Sequence, residues 1–159
     1  MSYEITELTT DLIPQAAEVW HAGWHEAHAD IVPSDLTKLR TLDSFASRLV
    51  KYAATTRIAV QDGQVFGLCV VLKDEINQMY VSAQARGTGL AADLIQDGER
   101  RIQASGHATA WLACAVGNDR AARFYEKRGW VNARTEILRF EAGVGTYPLE
   151  IWRFEKSLT

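Results

Sequence analysis

Apolar positions along the chain change period several times, and each change marks an element. Tyr3 to Leu8 alternates and predicts a short first strand. Ile13, Ala16, Ala17, Trp20 and Trp24 recur at helical spacing behind Asp11, a capping residue, and Pro14, which a first turn tolerates. The pattern breaks from Ala27 to Ser34, with Pro33 as punctuation. It resumes as a helix over Leu36 to Ala54, with Leu42, Phe45 and Leu49 on one face. Arg57 to Gln61 and Val65 to Leu72 flank Asp62-Gly63, a strong hairpin signal. Glu75 to Val81 reads as a further strand. Leu90, Leu94, Ile95 and Ile102 mark the apolar face of a helix that Gly106 stops. Ala108 to Val116 has the composition of a buried strand, and Asp119 to Arg128 is a short helix closed by Gly129. Trp130 to Phe140 and Tyr147 to Phe154 are two closing strands, separated by a loop holding Gly143 and Gly145.

The resulting order, β-α-α-β-β-β-α-β-α-β-β, predicts an α+β fold. Its sheet is mixed and mainly antiparallel, with helices on both faces and one central strand–loop–helix–strand unit. There is no internal repeat, linker or low-complexity tract, and 159 residues fit one domain, 1–159.

Composition narrows the class. With 47% hydrophobic and 23% charged residues, a soluble globular protein is expected. A net charge of −3 gives no general drive towards nucleic acid or an anionic membrane, so neither is an expected partner. Cys69 and Cys114 lie inside apolar runs, without C-x-x-C or Cys/His ligand spacing. No signal-peptide pattern and no run of transmembrane length is present, so a reducing cytoplasm is the expected location.

The most informative segment is Val81 to Ala91. A strand feeds a loop with Gly87 and Gly89, and a helix starts at once. Such a turn presents several backbone N–H groups to one small volume, a place for phosphate oxygens. A P-loop would require Gly-Lys-Ser/Thr after the glycines, and Gly89-Leu90-Ala91 does not supply it. A dinucleotide fingerprint would accept Ala92 in third place, but it belongs near the start of repeated βαβ units, not mid-chain after a hairpin.

The pattern Gln84-x-x-Gly87-x-Gly89 resembles the acyl-CoA-binding signature of the GCN5-related N-acetyltransferase superfamily, Q/R-x-x-G-x-G/A. Glu75 to Val81 is similar to the strand that precedes it. Asn118-x-x-Ala121-x-x-Phe124-Tyr125-x-x-x-Gly129-Trp130 is similar to that family's second signature. The two motifs stand in the family's order, and the predicted elements match its topology across essentially the whole chain. The resemblance implies a GNAT-like fold with acetyl-CoA as co-substrate and no metal. It implies cofactor contacts from Met79, Val81, Gln84, Ala85, Arg86, Gly87, Thr88, Gly89, Leu90, Asn118 and Phe124. Amides from Ala85 to Leu90 would meet the pyrophosphate, Arg86 would add charge, and Asn118 would bond the cofactor arm or cap the next helix. A homodimer is common in the family.

Transfer to an amine needs a deprotonated nucleophile, a stabilised oxyanion and a protonated leaving thiolate. An amine of pKa ~10.4 is only about 0.04% neutral at pH 7, so base assistance or capture of the neutral form is required. Tyr125 occupies the family's usual tyrosine position and is the candidate acid, with a core tyrosine beside Phe124 and Trp130 as the alternative. Glu75 is the candidate base, by its match to a strand glutamate in the histone-modifying branch; the alternative is a solvated carboxylate in the turn Lys73-Asp74-Glu75. A backbone N–H within Met79–Val81 would meet the oxyanion. Lys127 and Arg128 suit the negative end of their helix without further function. Cys114 lacks a histidine partner and reads as a buried thiol.

On the acceptor side the resemblance points to the region after the first helix, where Trp24, His28 and Pro33 fit W-x-x-x-Y-x-x-x-x-P with His28 in the tyrosine place. Trp24 and His28 are therefore the candidate substrate contacts, and the departure at His28 leaves the acceptor open among small amines, amino acids and peptide amines. His21, His25 and His28 share one helical face only if the helix persists to His28; it is expected to fray first, against a metal cluster. Tyr147 and Trp152 read as sheet aromatics. A non-catalytic module that binds coenzyme A is the alternative function.

Overall fold

The two runs around Asp62-Gly63 pair as expected and form the centre of one half of the sheet. The structure, a computed structural model, describes residues 2–159. Strands β1 (Glu4–Glu7), β2 (Thr56–Gln61), β3 (Gln64–Leu72), β4 (Glu75–Val81), β5 (Thr109–Ala115), β6 (Val131–Ala142) and β7 (Gly145–Ser157) form one sheet in the order β1-β2-β3-β4-β5-β7-β6. Every neighbouring pair is antiparallel except β4 with β5. The mixed, mainly antiparallel α+β architecture is thus present.

Helices α1 (Ile13–His28), α2 (Ser34–Leu39) and α3 (Leu42–Lys51) precede β2; α4 (Leu90–Ala104) and α5 (Asp119–Lys127) follow the later strands. Two cores result. On one face Trp20, Trp24, Phe45 and Leu49 of α1 and α3 close over Ile58, Leu68 and Val70. On the other, Leu90, Leu94, Ile95 and Ile102 of α4 pack with Cys69, Ile76, Leu112, Trp130 and Phe154. β3 feeds both cores and is buried over nearly its whole length, which is why it reads as a continuous apolar run.

Three expectations are corrected. The helix expected over Leu36–Ala54 is two helices. Arg40 leaves the helical region (φ −89°, ψ 65°), and Thr41 opens a new helix by accepting a hydrogen bond from the Ser44 amide at 3.2 Å. The restart rotates the stripe: Phe45 and Leu49 are buried, but Leu42 is 43% exposed. The first helix does not break at Ala27 but runs to His28, so Trp24, His25 and His28 are helical rather than in a connection. The closing loop shrinks to a tight turn at Gly143-Val144, because β6 and β7 pair all the way from Ala142↔Gly145.

α1 comes closest to β4 at Gly23. A Cβ on Gly23 would stand 2.7 Å from the ring of Tyr80, so glycine here lets the helix cross directly over that phenol.

Candidate active site

β4 and β5 share one rung. Glu75 pairs with Trp111 in parallel register, the Trp111 amide donates to the Asp74 carbonyl at 3.0 Å, and beyond that point the strands diverge. The edge of β4 from Ile76 to Val81 that faces β5 is therefore unpaired, while its other edge is held by β3. Asn77 is the extra residue of a bulge: Gln78 pairs with Val70 and Ile76 with Val71. The bulge accompanies the divergence. A cavity of about 480 Å³ opens in the fork, lined by Met79 and Val81 of β4, Cys114 of β5, and residues of α4 and α5.

At the glycine-loop end of the cavity, the loop after β4 makes a short 3₁₀ turn over Ala83–Ala85, and Ser82 Oγ accepts from the Gln84 amide. The amides of Ala85, Arg86 and Thr88 are spent inside this turn, on the carbonyls of Ser82, Ala83 and Ala85. The expected cradle of Ala85 to Leu90 is thus shifted towards the helix. The Gly87 and Gly89 amides, and those of Ala91 and Ala92 in the first turn of α4, donate to no acceptor among the described residues. Gly87 (φ +79°) and Gly89 (φ +85°) occupy left-handed conformations that side chains disfavour, and a Cβ on either would meet no atom of the chain within 4 Å. Glycine is needed here for its backbone angle rather than for want of room.

Arg86 lines the cavity but is not a free charge. It donates to Glu26 of α1, whose other oxygen takes Arg120 of α5 at 3.4 Å. These bonds, chiefly the one from Arg86, hold the Glu26 carboxyl below its usual range. Two cations and one anion leave the mouth with a net positive charge.

Asn118 precedes α5 and caps it, Oδ1 accepting from the Ala121 amide at 3.4 Å, while the residue also lines the cavity. Capping and cofactor contact, kept as alternatives by the sequence, are therefore compatible. One turn on, Phe124 and Tyr125 reach the same cavity. Tyr125 packs its ring against Phe124, Trp130 and Phe154. Burial pushes its phenol far above the ordinary value, with smaller contributions from Cys114 and Tyr80, so it stays protonated at any working pH. Cys114 is buried and its thiol is pushed up to about 12, again by burial, which leaves no thiolate near neutrality.

A second, smaller pocket of about 70 Å³ shares His28, Asn77, Gln78, Tyr80, Ala113 and Ala115 with the first. Glu75 lines it and is half-buried, not a solvated turn residue. Its carboxyl is raised by burial and by Asp74, against a 3.1 Å hydrogen bond from Asn77 Nδ2. Trp24 forms another wall. His28 places Nδ1 2.9 Å from the Trp24 carbonyl. A carbonyl only accepts, so Nδ1 carries the proton and Nε2 is left as an acceptor. Burial drives this imidazole to about 4, with repulsion from Arg40 and His25 outweighed in part by the Trp24 bond, and it is neutral at pH 7.

Of the residues singled out from the sequence, Met79, Val81, Ala85, Arg86, Gly87, Gly89, Leu90, Asn118, Phe124 and Tyr125 line the larger cavity. Glu75 and Trp24 line the smaller, and His28 both. Gln84 and Thr88 line neither: Gln84 is exposed, and the Thr88 hydroxyl donates to the Ala85 carbonyl to brace the loop. The His21 and His25 rings lie 4.4 Å apart, tilted by 45°, and His25 Nε2 donates to the Arg40 carbonyl at 2.6 Å. Among the described residues no three His, Cys, Asp or Glu side chains gather as a metal site, and no helix is long and apolar enough to cross a membrane.

Four charged lining or flanking residues escaped the sequence reading: Glu26, Arg120, Arg40 and Arg48. Only Arg48 carried a signal, a charge three residues after Phe45 on a buried stripe.

The model of the "Acetyltransferase (GNAT) family" matches residues 10–130. An uncharacterized N-acetyltransferase of Mycobacterium tuberculosis (strain H37Rv) is 25% identical over 121 residues, spanning 70% of this chain and 78% of that protein. Among solved structures, a GCN5-related N-acetyltransferase from Rhodopseudomonas palustris superposes with a TM-score of 0.77 at 21% identity, over 99% of this chain and 96% of that one. The PaiA N-acetyltransferase of Thermoplasma acidophilum, in complex with coenzyme A, gives 0.71 at 16% identity over 99% of both chains.

Proposed function

The chain belongs to the acetyltransferase (GNAT) family, and on that premise we propose that it moves an acetyl group from acetyl-CoA to the primary amine of a small molecule or peptide, by direct attack in a ternary complex. The observation that carries this reading is one cavity lined by the open β4 edge, the unpartnered Gly87 and Gly89 amides and the protonated Tyr125. The coenzyme A complex of the Thermoplasma acidophilum relative supports the choice of co-substrate.

On this reading the amides of Gly87, Gly89, Ala91 and Ala92 hold the pyrophosphate at the positive end of α4. The pantetheine arm pairs with the β4 edge, and an N–H within Met79–Val81 meets the oxyanion. The amine nitrogen attacks the thioester carbon. The C–N bond forms, the C–S bond breaks, Tyr125 gives its proton to the departing thiolate, and the amine proton passes to Glu75. Solvent restores both groups. A raised carboxyl pKa makes Glu75 a stronger base than a solvated one, and burial keeps the Tyr125 proton in place until the thiolate departs.

The test is release of free thiol from acetyl-CoA across a panel of amines. Turnover with at least one amine is expected. Tight coenzyme A binding with no thiol release for any amine would leave a non-catalytic coenzyme A-binding module instead.

A further inference from the structure

Arg40 and Arg48 both line the smaller pocket, and neither has a carboxylate partner among the described residues. Arg40 is 5% exposed. Its Nη1 donates to the Glu141 carbonyl at 2.6 Å and its guanidinium lies 5.8 Å from the Trp24 ring, but its Nε is buried with no acceptor. Arg48 stands 4.5 Å over the Trp20 ring, and its Nε is likewise buried without an acceptor. Glu141, the acidic residue with which both interact, forms an ion pair with neither: its carboxylate takes Lys51 Nζ at 2.9 Å and the Tyr52 hydroxyl at 2.6 Å, both on Oε1. Two guanidiniums that repel one another, one buried and one half-buried, each with a buried Nε donor to spare, form a costly arrangement unless an anion completes it.

The remaining pocket groups do not supply that anion. His28 and the Tyr80 phenol are neutral at pH 7, and Asn77 and Gln78 are uncharged. Glu75 is the one carboxyl lining the pocket, and its bonded partner is Asn77. A guanidinium fork matches a carboxylate in plane and charge. The volume of about 70 Å³ admits a carboxylate and a few carbons, and the shared wall opens into the larger cavity.

We infer that the acceptor is an amino acid or a close analogue, its carboxylate seated between Arg40 and Arg48 and its amine presented towards the fork. This rests on the acetyl-transfer reading above.

The test uses matched pairs with the full chain and acetyl-CoA: glycine against methylamine, methionine against 3-(methylthio)propylamine, lysine against cadaverine. At least one carboxylate member is expected to exceed its partner tenfold or more in kcat/KM, and Arg48→Met to erase that margin while leaving coenzyme A affinity unchanged. Binding is read independently of turnover: N-acetylglycine and N-methylacetamide are titrated into the coenzyme A-loaded wild type, with Trp20 and Trp24 fluorescence as the signal. Saturable binding of N-acetylglycine, tenfold or more tighter than N-methylacetamide, is expected. Equal binding of the two, or turnover that favours the decarboxylated amines, overturns the inference and leaves acetyl transfer standing. Selective carboxylate binding without turnover of any amine would sink the transfer reading and keep the carboxylate site.

Discussion

Tyr125 concentrates the proposed chemistry in one atom, and its surroundings define what its removal should do. The ring is packed by Phe124, Trp130 and Phe154, so Tyr125→Phe preserves the packing and removes only the hydroxyl. Turnover should fall about 10²-fold with coenzyme A affinity unchanged, measured by steady-state kinetics and calorimetry. Unchanged turnover would return Tyr125 to a packing role. Glu26 offers the opposite kind of change. It neutralises part of Arg86 and Arg120 at the cavity mouth, so Glu26→Gln should tighten coenzyme A binding, by at most about fivefold for exposed pairs. The gain should fade as salt rises. At this scale the sequence was legible where a motif named the residue. Tyr125 and Asn118 were found because they stand in a patterned segment, whereas Arg40 and Arg48 come from a stretch whose helices could not be phased. Glu26 was invisible because its partners lie 60 and 94 residues away.

Elements were legible wherever one period ran without interruption. β3, α4 and the Asp62-Gly63 turn came through because apolar spacing and turn chemistry agreed. The stretch from Leu36 to Ala54 did not, because apolar residues at helical spacing cannot show that Thr41 starts a second helix one residue after Arg40 has ended the first. The end of α1 was misjudged for a similar reason: apolar spacing stops at Trp24, and nothing in it shows that the helix runs on to His28. Two substitutions separate stability from binding at this scale. Gly89→Ala places a side chain at φ +85° and should cost about 1–2 kcal/mol in urea denaturation, with coenzyme A binding weakened as well. Thr41→Ala removes the α3 cap, costs about 1 kcal/mol, and should leave coenzyme A binding unaltered.

For the whole molecule, two half-buried titrations shape stability against pH. The folded His28 pKa of about 4 lies below its ordinary 6.5, so the unfolded chain takes up that proton first. The stability this represents is present above pH 6.5 and is lost as pH falls through about 4, on the order of 3 kcal/mol. Glu75 has the opposite sign. Its folded pKa is raised above 4.5, so stability is lost as pH rises from about 4.5 through the folded value. Denaturation of His28→Gln and Glu75→Gln between pH 4 and 7 should each remove one of these opposed slopes. A slope unchanged in His28→Gln would show that the imidazole is solvated.

The single Glu75–Trp111 rung also has a mechanical meaning. Strands β1–β4 and strands β5, β7 and β6 are two half-sheets, each with its own hydrogen-bonded ladder, tied across the fork at one end only. A pantetheine arm lying in the fork would act as an extra strand and splice the halves into one. Amide exchange should then slow together on β4 and β5 when coenzyme A is added, although the ligand's phosphates touch neither strand. A truncated thiol donor lacking the nucleotide should reproduce that protection at saturation, because the splice belongs to the arm.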